Sequence, residues 1–272
     1  MPRIDYTAKL QVLAAVRGHR FDRTSFDRLF EDMADISVTV VDQPAAALLM
    51  TPDALAHFDA VLLYDMPGMD FHVPAEDRPR DVLPSEEFKT GFKAMLEAGI
   101  GVVALHHALA GWPAWPEYAE LLGGRFLFRA REILGQKIEA SGYAHDTSYR
   151  AQVVAPNHPV TQGLPAHFEV TDELYLIPVD ECGVEPLLRC DHEFTRDNFW
   201  SASAAMDGKL RDRTDWHPGE GSNLIGWTKR ALSSPLVYLQ PGDGPSAYDN
   251  PHIRRLVENA IRWVASPEAR AG

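Results

Sequence analysis

Three polar residues, His19, Asp65 and His106, each come shortly after an apolar run of the sequence. Imidazole titrates near neutral pH and a nearby carboxylate fixes its tautomer, so this combination suits general acid/base catalysis. If the three runs are neighbouring parallel strands, their carboxyl ends meet at the sheet edge where ligands bind in open α/β proteins. We therefore predict that His106 is an acid/base, that Asp65 or Glu173 orients it, and that His19 contacts a hydroxyl or a developing oxyanion.

His107 directly follows His106, and adjacent residues of an extended chain point to opposite sides. We expect His106 to face the site and keep His107 as a candidate substrate-binding residue. The chain contains 11 histidines, so any one of them could instead be an ordinary surface or capping residue. Asp65 could likewise cap the loop that follows it.

An aromatic segment, GWPAWPEY at 111–118, follows the two histidines. Trp112 and Trp115 could stack on the apolar face of a sugar ring, and Glu117 is a further candidate for substrate binding. The alternative is that the indoles fill a helix–sheet interface, since tryptophan is mostly buried in folded proteins.

Two later polar clusters complete the set of candidate residues. Asp172, Glu173 and Tyr175 lie in VTDELYLIPV, where the two carboxylates form a turn or supply a base or ligand. Asp243 and Tyr248 lie in the Gly- and Pro-containing segment 240–252, just before the last predicted helix. A helix N-terminus favours anions and polar ligand oxygens, so we predict that these residues also contact the substrate.

Several well-known motifs are missing from the chain. It contains neither GxGxxG nor GxxxxGK[ST], which excludes the common dinucleotide and nucleoside-triphosphate fingerprints, and it contains no HExxH. Only two cysteines occur, Cys182 and Cys190, far from the position of a nucleophile elbow, which disfavours cysteine catalysis. We predict no cofactor. His19, His106 and a carboxylate would allow a divalent metal, although no spacing requires one.

Alternating apolar runs and helical patterns indicate how these residues are positioned. Strands are expected at 10–16, 37–41, 60–64 and 100–105, with shorter strands at 149–154, 185–189, 224–228 and 236–239. Helical spacing of apolar residues is found at 26–33, 88–96, 117–122 and 253–264, and the second of these helices is expected to begin near 84–87 and to end at Gly99. The long loop 66–84 is a candidate lid. Single crossover helices between strands predict an α/β, doubly wound, mainly parallel sheet with helices on both faces.

Composition limits the class of protein. The chain has 272 residues, 45% of them hydrophobic, and a net charge of −13. We expect one domain over 1–272, with 125–235 partly an elaboration. The excess of acidic residues disfavours nucleic-acid binding. The sequence contains no run of about 18 apolar residues, so we predict no membrane span. Few cysteines and no signal-like start favour a cytoplasmic protein, and a homo-oligomer remains open.

The chain resembles the ThuA-like family, named for trehalose utilisation. The similarity spans most of the chain, and its blocks are VALHHALAGWPAWPEYAELLGGRF (103–126), NHPVTQGLP (157–165), VTDELYLIP (170–178) and YLQPGDGPSAYDNPHIRRLVENAIRWVA (238–265). The resemblance implies a flavodoxin-like fold related to class I glutamine amidotransferases, without their catalytic cysteine. It also implies catabolism of trehalose or related disaccharides, including keto-sugar derivatives. The polar residues that match the family blocks are His106, Trp115, Glu117, Asp172, Glu173 and Tyr175.

One departure from the family pattern affects the function. Asp243 stands where relatives commonly carry histidine, and an aspartate is not an acid at neutral pH unless its pKa is strongly raised. The leading hypothesis is an enzyme that acts on a disaccharide or keto-sugar derivative by hydrolysis or by acid/base proton transfer. The alternatives are a sugar- or partner-binding domain that lost its chemistry, and a metal-dependent hydrolase.

Overall fold

The computed structural model describes residues 5–69, 73–77, 82–133, 136–219 and 221–272. Part of the candidate lid, residues 70–72 and 78–81, therefore lies outside the described residues. All the predicted site residues lie within them.

Strands form where apolar and β-branched residues run together, and the first four lie close to the predicted positions. The strands are β1 (Leu10–Arg17), β2 (Ile36–Asp42), β3 (Ala60–Asp65), β4 (Gly101–Leu105), β5 (Arg131–Ile133), β6 (Gln136–Ile138), β7 (Gly142–Val153), β8 (His167–Leu176), β9 (Glu185–Cys190), β10 (Trp200–Ser201), β11 (Leu224–Ala231) and β12 (Ser234–Leu239).

The longer helices begin at side-chain caps. Ser85 accepts a hydrogen bond from the Phe88 amide, and Asn250 accepts one from the His252 amide before Pro251, which suits a first helical turn. The helices are α1 (Arg23–Arg28), α2 (Ala45–Leu48), α3 (Glu86–Glu97), α4 (Pro116–Leu122), α5 (Ala202–Met206), α6 (Pro245–Tyr248), α7 (Pro251–Val264) and α8 (Pro267–Ala271).

Among the described residues, ten strands form one mixed sheet in the order β10-β7-β9-β11-β12-β4-β3-β1-β2, with β8 also paired to β7. The core from β12 to β2 is parallel, whereas β7 to β11 add antiparallel strands from the predicted elaboration. Strands β1, β3 and β4 are neighbours, as the sequence predicts. The predicted α/β, flavodoxin-like fold is confirmed, because the parallel strands follow the order β2-β1-β3-β4-β12.

Helices cover both faces of the parallel core. Val12 points to the face covered by α1 and α7, where it belongs to the same apolar cluster as Leu256. The next residue, Leu13, points to the opposite face with Met95 of α3, and α2 and α4 pack on that face too. Because both faces are buried, the core strands are continuously apolar, and polar residues concentrate where the strands end.

The segment around Asp172 differs from one of the sequence interpretations. The two carboxylates lie inside β8 and not in a turn, with Asp172 paired to Thr147 of β7. Both carboxylate side chains are buried. Partners for these charges therefore have to come from other elements, because buried charges are costly unless they are paired.

Candidate active site

Two glycines bring loops close to the carboxyl edge of the sheet. Gly18, after β1, has φ +100°, and a Cβ there would lie 2.3 Å from the carbonyl oxygen of Met66. Gly242, after β12, has φ +147°, and a Cβ there would lie 2.9 Å from the Leu105 side chain. Only glycine accepts such positions without strain. The residues that follow, His19 and Asp243, are thereby placed beside the end of β4.

His106 occupies the sharp turn directly after β4. Its φ is +48°, an uncommon backbone conformation for a side chain other than glycine, and such positions concentrate at functional sites. The chain enters a short 3₁₀ helix at His106–Ala110, so His106 and His107 no longer alternate as in a strand. Their rings lie with centroids 5.5 Å apart, and both are fully buried. Both imidazoles, and not only His106, therefore join the same group of side chains.

The ring nitrogens of His106 have different partners. Nδ1 donates to the backbone carbonyl of Gln240 at 2.6 Å, while Nε2 lies 3.1 Å from Glu173 and 3.4 Å from Asp243. The Tyr175 hydroxyl is 2.8 Å from the same Nε2. Burial lowers the pKa of His106, but hydrogen bonds with Asp243 and Glu173 outweigh it and raise that pKa well above its usual value. His106 is thus held as a buried cation between carboxylates.

Glu173 bridges two histidines. One carboxylate oxygen accepts from His106, and the other accepts from Nδ1 of His145 at 2.8 Å. Burial raises the pKa of Glu173, but these two hydrogen bonds outweigh burial and lower the pKa to about 2. Glu173 is therefore an ionised carboxylate that links a buried imidazole to one that reaches solvent.

A bulge in β7 presents His145 to Glu173. Ala144 pairs with Leu174 and Thr147 pairs with Asp172, so His145 and Asp146 together oppose the single residue Glu173. Bulges of this kind re-aim side chains next to active sites. The side chain of His145 is 43% exposed, and its hydrogen bond with Glu173 raises its pKa. Since Nδ1 faces Glu173, Nε2 is the ring nitrogen available to a ligand.

Asp172 and two tyrosines hold the Asp243 loop in place. The carboxylate of Asp172 accepts hydrogen bonds from the backbone amides of Gly242, at 2.6 Å, and Asp243, at 3.2 Å. The hydroxyls of Tyr64 and Tyr248 both donate to the carbonyl oxygen of Asp243. Burial raises the pKa of Asp172 to about 7. Asp172 and Tyr248, predicted as substrate-binding residues, fix the backbone of this loop, and Asp172 also lines a cavity of about 260 Å³ with Glu173 and Asp243.

His19 and His107 form a second pair of imidazoles. Their ring centroids lie 4.7 Å apart, and Nδ1 of His19 is 3.9 Å from Asp243. Nε2 of His107 donates to the Tyr64 carbonyl at 3.1 Å. Burial lowers the pKa of both imidazoles, so both are neutral near pH 7. We refer to His19, His106, His107, His145, Glu173 and Asp243 as the histidine–carboxylate cluster.

A cavity of about 350 Å³ opens at this cluster. Its polar wall contains His19, His145, Glu173 and Tyr175, while its apolar wall contains several aromatic residues, among them Phe126, Phe128 and Tyr143. The volume falls in the range of small-molecule sites, about 300–1,000 Å³, and the mixture of a few polar groups on an apolar surface is typical of such sites.

Asp65 does not join the cluster. Tyr64 and Asp65 are adjacent in β3 and point to opposite faces, so Tyr64 lies beside His107 while Asp65 lies on the other side of the sheet. Its carboxylate accepts a hydrogen bond from Gln43 at 2.6 Å. Burial raises the pKa of Asp65 to about 6. The predicted pairing of Asp65 with His106 is not present, because the strand alternation separates them.

The predicted tryptophans also lie away from the cavity wall. Trp115 is buried against Phe88, Phe92 and Tyr118, with ring centroids 5.8 to 6.2 Å apart, and Trp112 packs on Phe88 at 5.0 Å. The carboxylate of Glu117 pairs with Lys93 of α3. These side chains join the 111–118 segment to α3, which corresponds to the interface alternative. In the cavity, phenylalanine and tyrosine supply the aromatic surface.

Sequence reasoning missed His145 and the aromatic residues of the cavity. The predicted strand began at 149, and nothing in the spacing of GYAHDTSY indicates a bulge opposite Glu173. Phe126 lies in the family block 103–126, but the block by itself does not indicate that its ring lines a cavity. The sequence feature that points to an irregular strand here is Asp-Thr-Ser at 146–148, directly after His145, because these residue types often interrupt strands.

Within the part of the chain that the structure describes, two groups of side chains could hold a metal ion. In each group the ligand atoms lie within 4.8 Å of one another: His19, His107 and Asp243 form one, and His106, Glu173 and Asp243 form the other. They share Asp243.

Comparison with known proteins identifies the family. A family model described as ThuA, trehalose utilisation, matches residues 12–264. The chain belongs to the ThuA family. No curated protein sequence gave a significant match to this chain.

Solved structures of low sequence identity share the fold. A putative ThuA-like protein from Parabacteroides merdae has 15% identity and a TM-score of 0.65, covering 94% of this chain and 90% of its own. A second one, from Bacteroides uniformis, has 18% identity and a TM-score of 0.61, covering 99% and 96%. A cytoplasmic protein from Salmonella typhimurium has 12% identity and a TM-score of 0.55, covering 94% and 99%. Among the described residues, no helix has the length and apolarity needed to cross a bilayer.

Proposed function

We propose that this ThuA-family protein is a cytoplasmic enzyme of carbohydrate catabolism that acts on a disaccharide or a keto-sugar derivative by acid/base proton transfer. The observation that carries the proposal is the Glu173 carboxylate, which joins His106 to His145 at the wall of the 350 Å³ cavity. The family description, trehalose utilisation, supports a sugar as the ligand.

In this proposal His145 exchanges a proton with the substrate, and Glu173 positions His145. Glu173 orients His145 through Nδ1, and the second ring nitrogen of His145 exchanges a proton with the sugar. His19 and Tyr175, which also line the cavity, contact hydroxyl or carbonyl oxygens of the substrate. His106 was predicted as the acid/base, but it is fully buried. In this proposal it is instead a positioning residue whose Nε2 contacts the carboxylates of Glu173 and Asp243.

The arrangement of the carboxylates favours proton transfer next to a carbonyl over glycoside hydrolysis. Glu173 and Asp243 both approach Nε2 of His106, at 3.1 and 3.4 Å, and one oxygen of each carboxylate lies within 4.8 Å of the other. Hydrolysis by the usual pair of carboxylates requires them to flank the scissile bond about 5 to 9 Å apart. A base on one side of the sugar is sufficient to remove a proton next to a keto group.

A non-catalytic sugar-binding domain remains the second candidate, because Asp243 replaces the histidine of the family pattern. The contacts of Asp243 with His106 and His19 support a role for this residue within the cluster. We therefore favour the enzyme, and the experiment below treats the binding domain as one of its outcomes.

The test uses the full chain with trehalose and with its mono-oxidised keto derivatives in D₂O, followed by ¹H NMR. We expect deuterium to enter next to the keto group, or a product of elimination to appear. His145→Gln should lower the rate about 10²- to 10⁴-fold. The matched control is His167→Gln, which changes an exposed histidine at the start of β8.

Other outcomes reject parts of the proposal. Cleavage without deuterium exchange would indicate hydrolysis. Sugar binding without any product would support the binding domain. A rate in His145→Gln equal to that of His167→Gln would remove His145 from the mechanism.

A further inference from the structure

We propose that His19, His107 and Asp243 form a binding site for a divalent first-row transition-metal ion such as Zn²⁺. One donor atom from each residue lies within 4.8 Å of the other two. Two imidazoles with one carboxylate are a common three-residue ligand set for such ions in proteins, with the remaining position open to water or substrate. The inference concerns cation binding alone and does not depend on the reaction proposed above.

The strongest observation is the orientation of His107. Its Nε2 donates to the backbone carbonyl of Tyr64, so in the neutral imidazole the lone pair is on Nδ1. Nδ1 is buried and has no hydrogen-bond partner among the described residues. An unsatisfied buried nitrogen is costly and requires an explanation, and a bound cation supplies one. Metal-binding histidines typically donate their other N–H to a carbonyl in this way.

The distances suit a site that closes on an ion. Ligand atoms about 2.0–2.2 Å from a metal lie no more than about 4.4 Å from one another. Nδ1 of His19 and Oδ1 of Asp243 are already 3.9 Å apart. The His19 and Asp243 side chains are 25% and 28% exposed, so small torsional changes in both can bring the set within range.

The surroundings favour this set over the other group that shares Asp243. Both ring nitrogens of His106 and both carboxylate oxygens of Glu173 already have partners. A dication bound by two neutral imidazoles and one carboxylate retains positive charge, which the ionised Glu173 nearby stabilises. The His106 ring, which contacts the Asp243 carboxylate, then acts as an outer-shell partner of the metal ligand.

Two cavities lead from solvent to the proposed metal ligands. His19 lines the 350 Å³ cavity, and Asp243 lines a smaller cavity of about 260 Å³. An ion can therefore reach the ligands from solvent, and its open position faces the space where a small molecule fits. A bound ion there would attract a carbonyl or hydroxyl oxygen of the ligand.

The test measures binding of Zn²⁺ to full-length protein from which metals have been removed by chelation, using calorimetry and elemental analysis after dialysis. Co²⁺ serves as a spectroscopic probe, since its visible absorption reports nitrogen and oxygen ligands. We expect one ion per chain. Asp243→Asn and His107→Gln should each weaken Zn²⁺ binding at least about 100-fold, a larger loss than the 10- to 100-fold typical of outer-shell partners.

His107→Gln is a matched substitution, because the glutamine amide can still donate to the Tyr64 carbonyl while no lone pair remains at the Nδ1 position. Circular dichroism and thermal unfolding check that each variant is folded. If His107→Gln does not fold, Zn²⁺ binding is measured on Asp243→Asn and His19→Ala, which change the two partly exposed ligands.

Two control variants separate this inference from the proposed function. His145→Gln should lower sugar turnover and leave Zn²⁺ binding within about 3-fold of the wild type. Glu173→Gln should also lower sugar turnover, and because it removes only a nearby negative charge it should weaken Zn²⁺ binding less than His107→Gln does. The inference is overturned if no stoichiometric ion binds, or if Asp243→Asn binds Zn²⁺ as tightly as the wild type. It is also overturned if Glu173→Gln abolishes binding while His107→Gln does not, since the other ligand group would then be the site.

Discussion

The two faces of the sheet differ sharply at its carboxyl edge. On one face the histidine–carboxylate cluster pairs buried charges with one another, and the pKa of Glu173 falls to about 2. On the other face Asp65 has a neutral partner, Gln43, and its pKa rises to about 6. Both carboxylates are buried at comparable depth. The comparison shows that the partners supplied by other strands and loops, and not burial alone, decide whether a buried carboxylate is charged.

The same contrast holds for the aromatic residues. The indoles of Trp112 and Trp115 fill the space between the 111–118 segment and α3, whereas Phe126, Phe128 and Tyr143 line the cavity. One set serves packing and the other is available to a ligand. Four substitutions, given from the largest expected effect to the smallest, test this division.

Glu173→Gln should have the largest effect, because it removes the charge that orients His145 and pairs with His106. We expect the kcat/KM for the keto-sugar substrate to fall about 10²- to 10⁴-fold. Steady-state kinetics measure the change. Glu169→Gln, an exposed glutamate on the same strand, is the control and should retain full activity. Equal activities of the two variants would contradict a catalytic role for the cluster.

Trp115→Ala should act on stability and not on the site. It removes a buried indole that packs on Phe92 and Tyr118, so we expect the free energy of unfolding to fall by about 3–5 kcal/mol. Urea denaturation measures this loss, and Trp115→Phe should lie between alanine and the wild type. In the folded variant, KM should be unchanged. A large rise in KM with little loss of stability would place Trp115 in the binding site after all.

Asp65 should make stability depend on pH. Because its folded-state pKa of about 6 lies above the ordinary value of 3.8, the folded state binds the proton more tightly than the unfolded chain. Stability is therefore lost as the pH rises from about 4 to about 6, by about 3 kcal/mol in total. Asp65→Asn is neutral throughout and should abolish this part of the dependence.

The measurement for Asp65 is urea denaturation of the wild type and Asp65→Asn at pH 4 and pH 7. The exposed residue Asp53 provides the control variant, Asp53→Asn, which should follow the wild type. A wild type that gains stability relative to Asp65→Asn as the pH rises through this window would show that the sign is wrong.

Tyr175→Phe should have the smallest effect of the four. It removes the hydroxyl that lies 2.8 Å from His106 while keeping the ring that lines the cavity. A single hydrogen bond is worth about 1 kcal/mol, so we expect kcat/KM to fall by about 10-fold or less. Kinetics and thermal unfolding together check this. A loss as large as that of Glu173→Gln would make Tyr175 a principal catalytic group.

Much of the fold could be predicted because local patterns decide it. The apolar runs in β1 to β4 and the stripe from Ile253 to Val264 indicate their elements directly, and helical crossover connections between successive strands indicate a parallel sheet. The position of His106 at the end of β4 follows from the same reasoning. The antiparallel strands β7 and β8 are harder to predict from the sequence, because polar residues interrupt their apolar runs.

The amino-acid sequence by itself determined the parallel core, the family, and the placement of His19 and His106 at strand ends. Only the tertiary structure decided which of these groups meet. One step along β3 separates Tyr64, which reaches the cluster, from Asp65, which does not. His145 meets Glu173 because a bulge adds one residue to β7. Strand parity and bulges act through pairing with distant segments, so the spacing within one segment cannot reveal them.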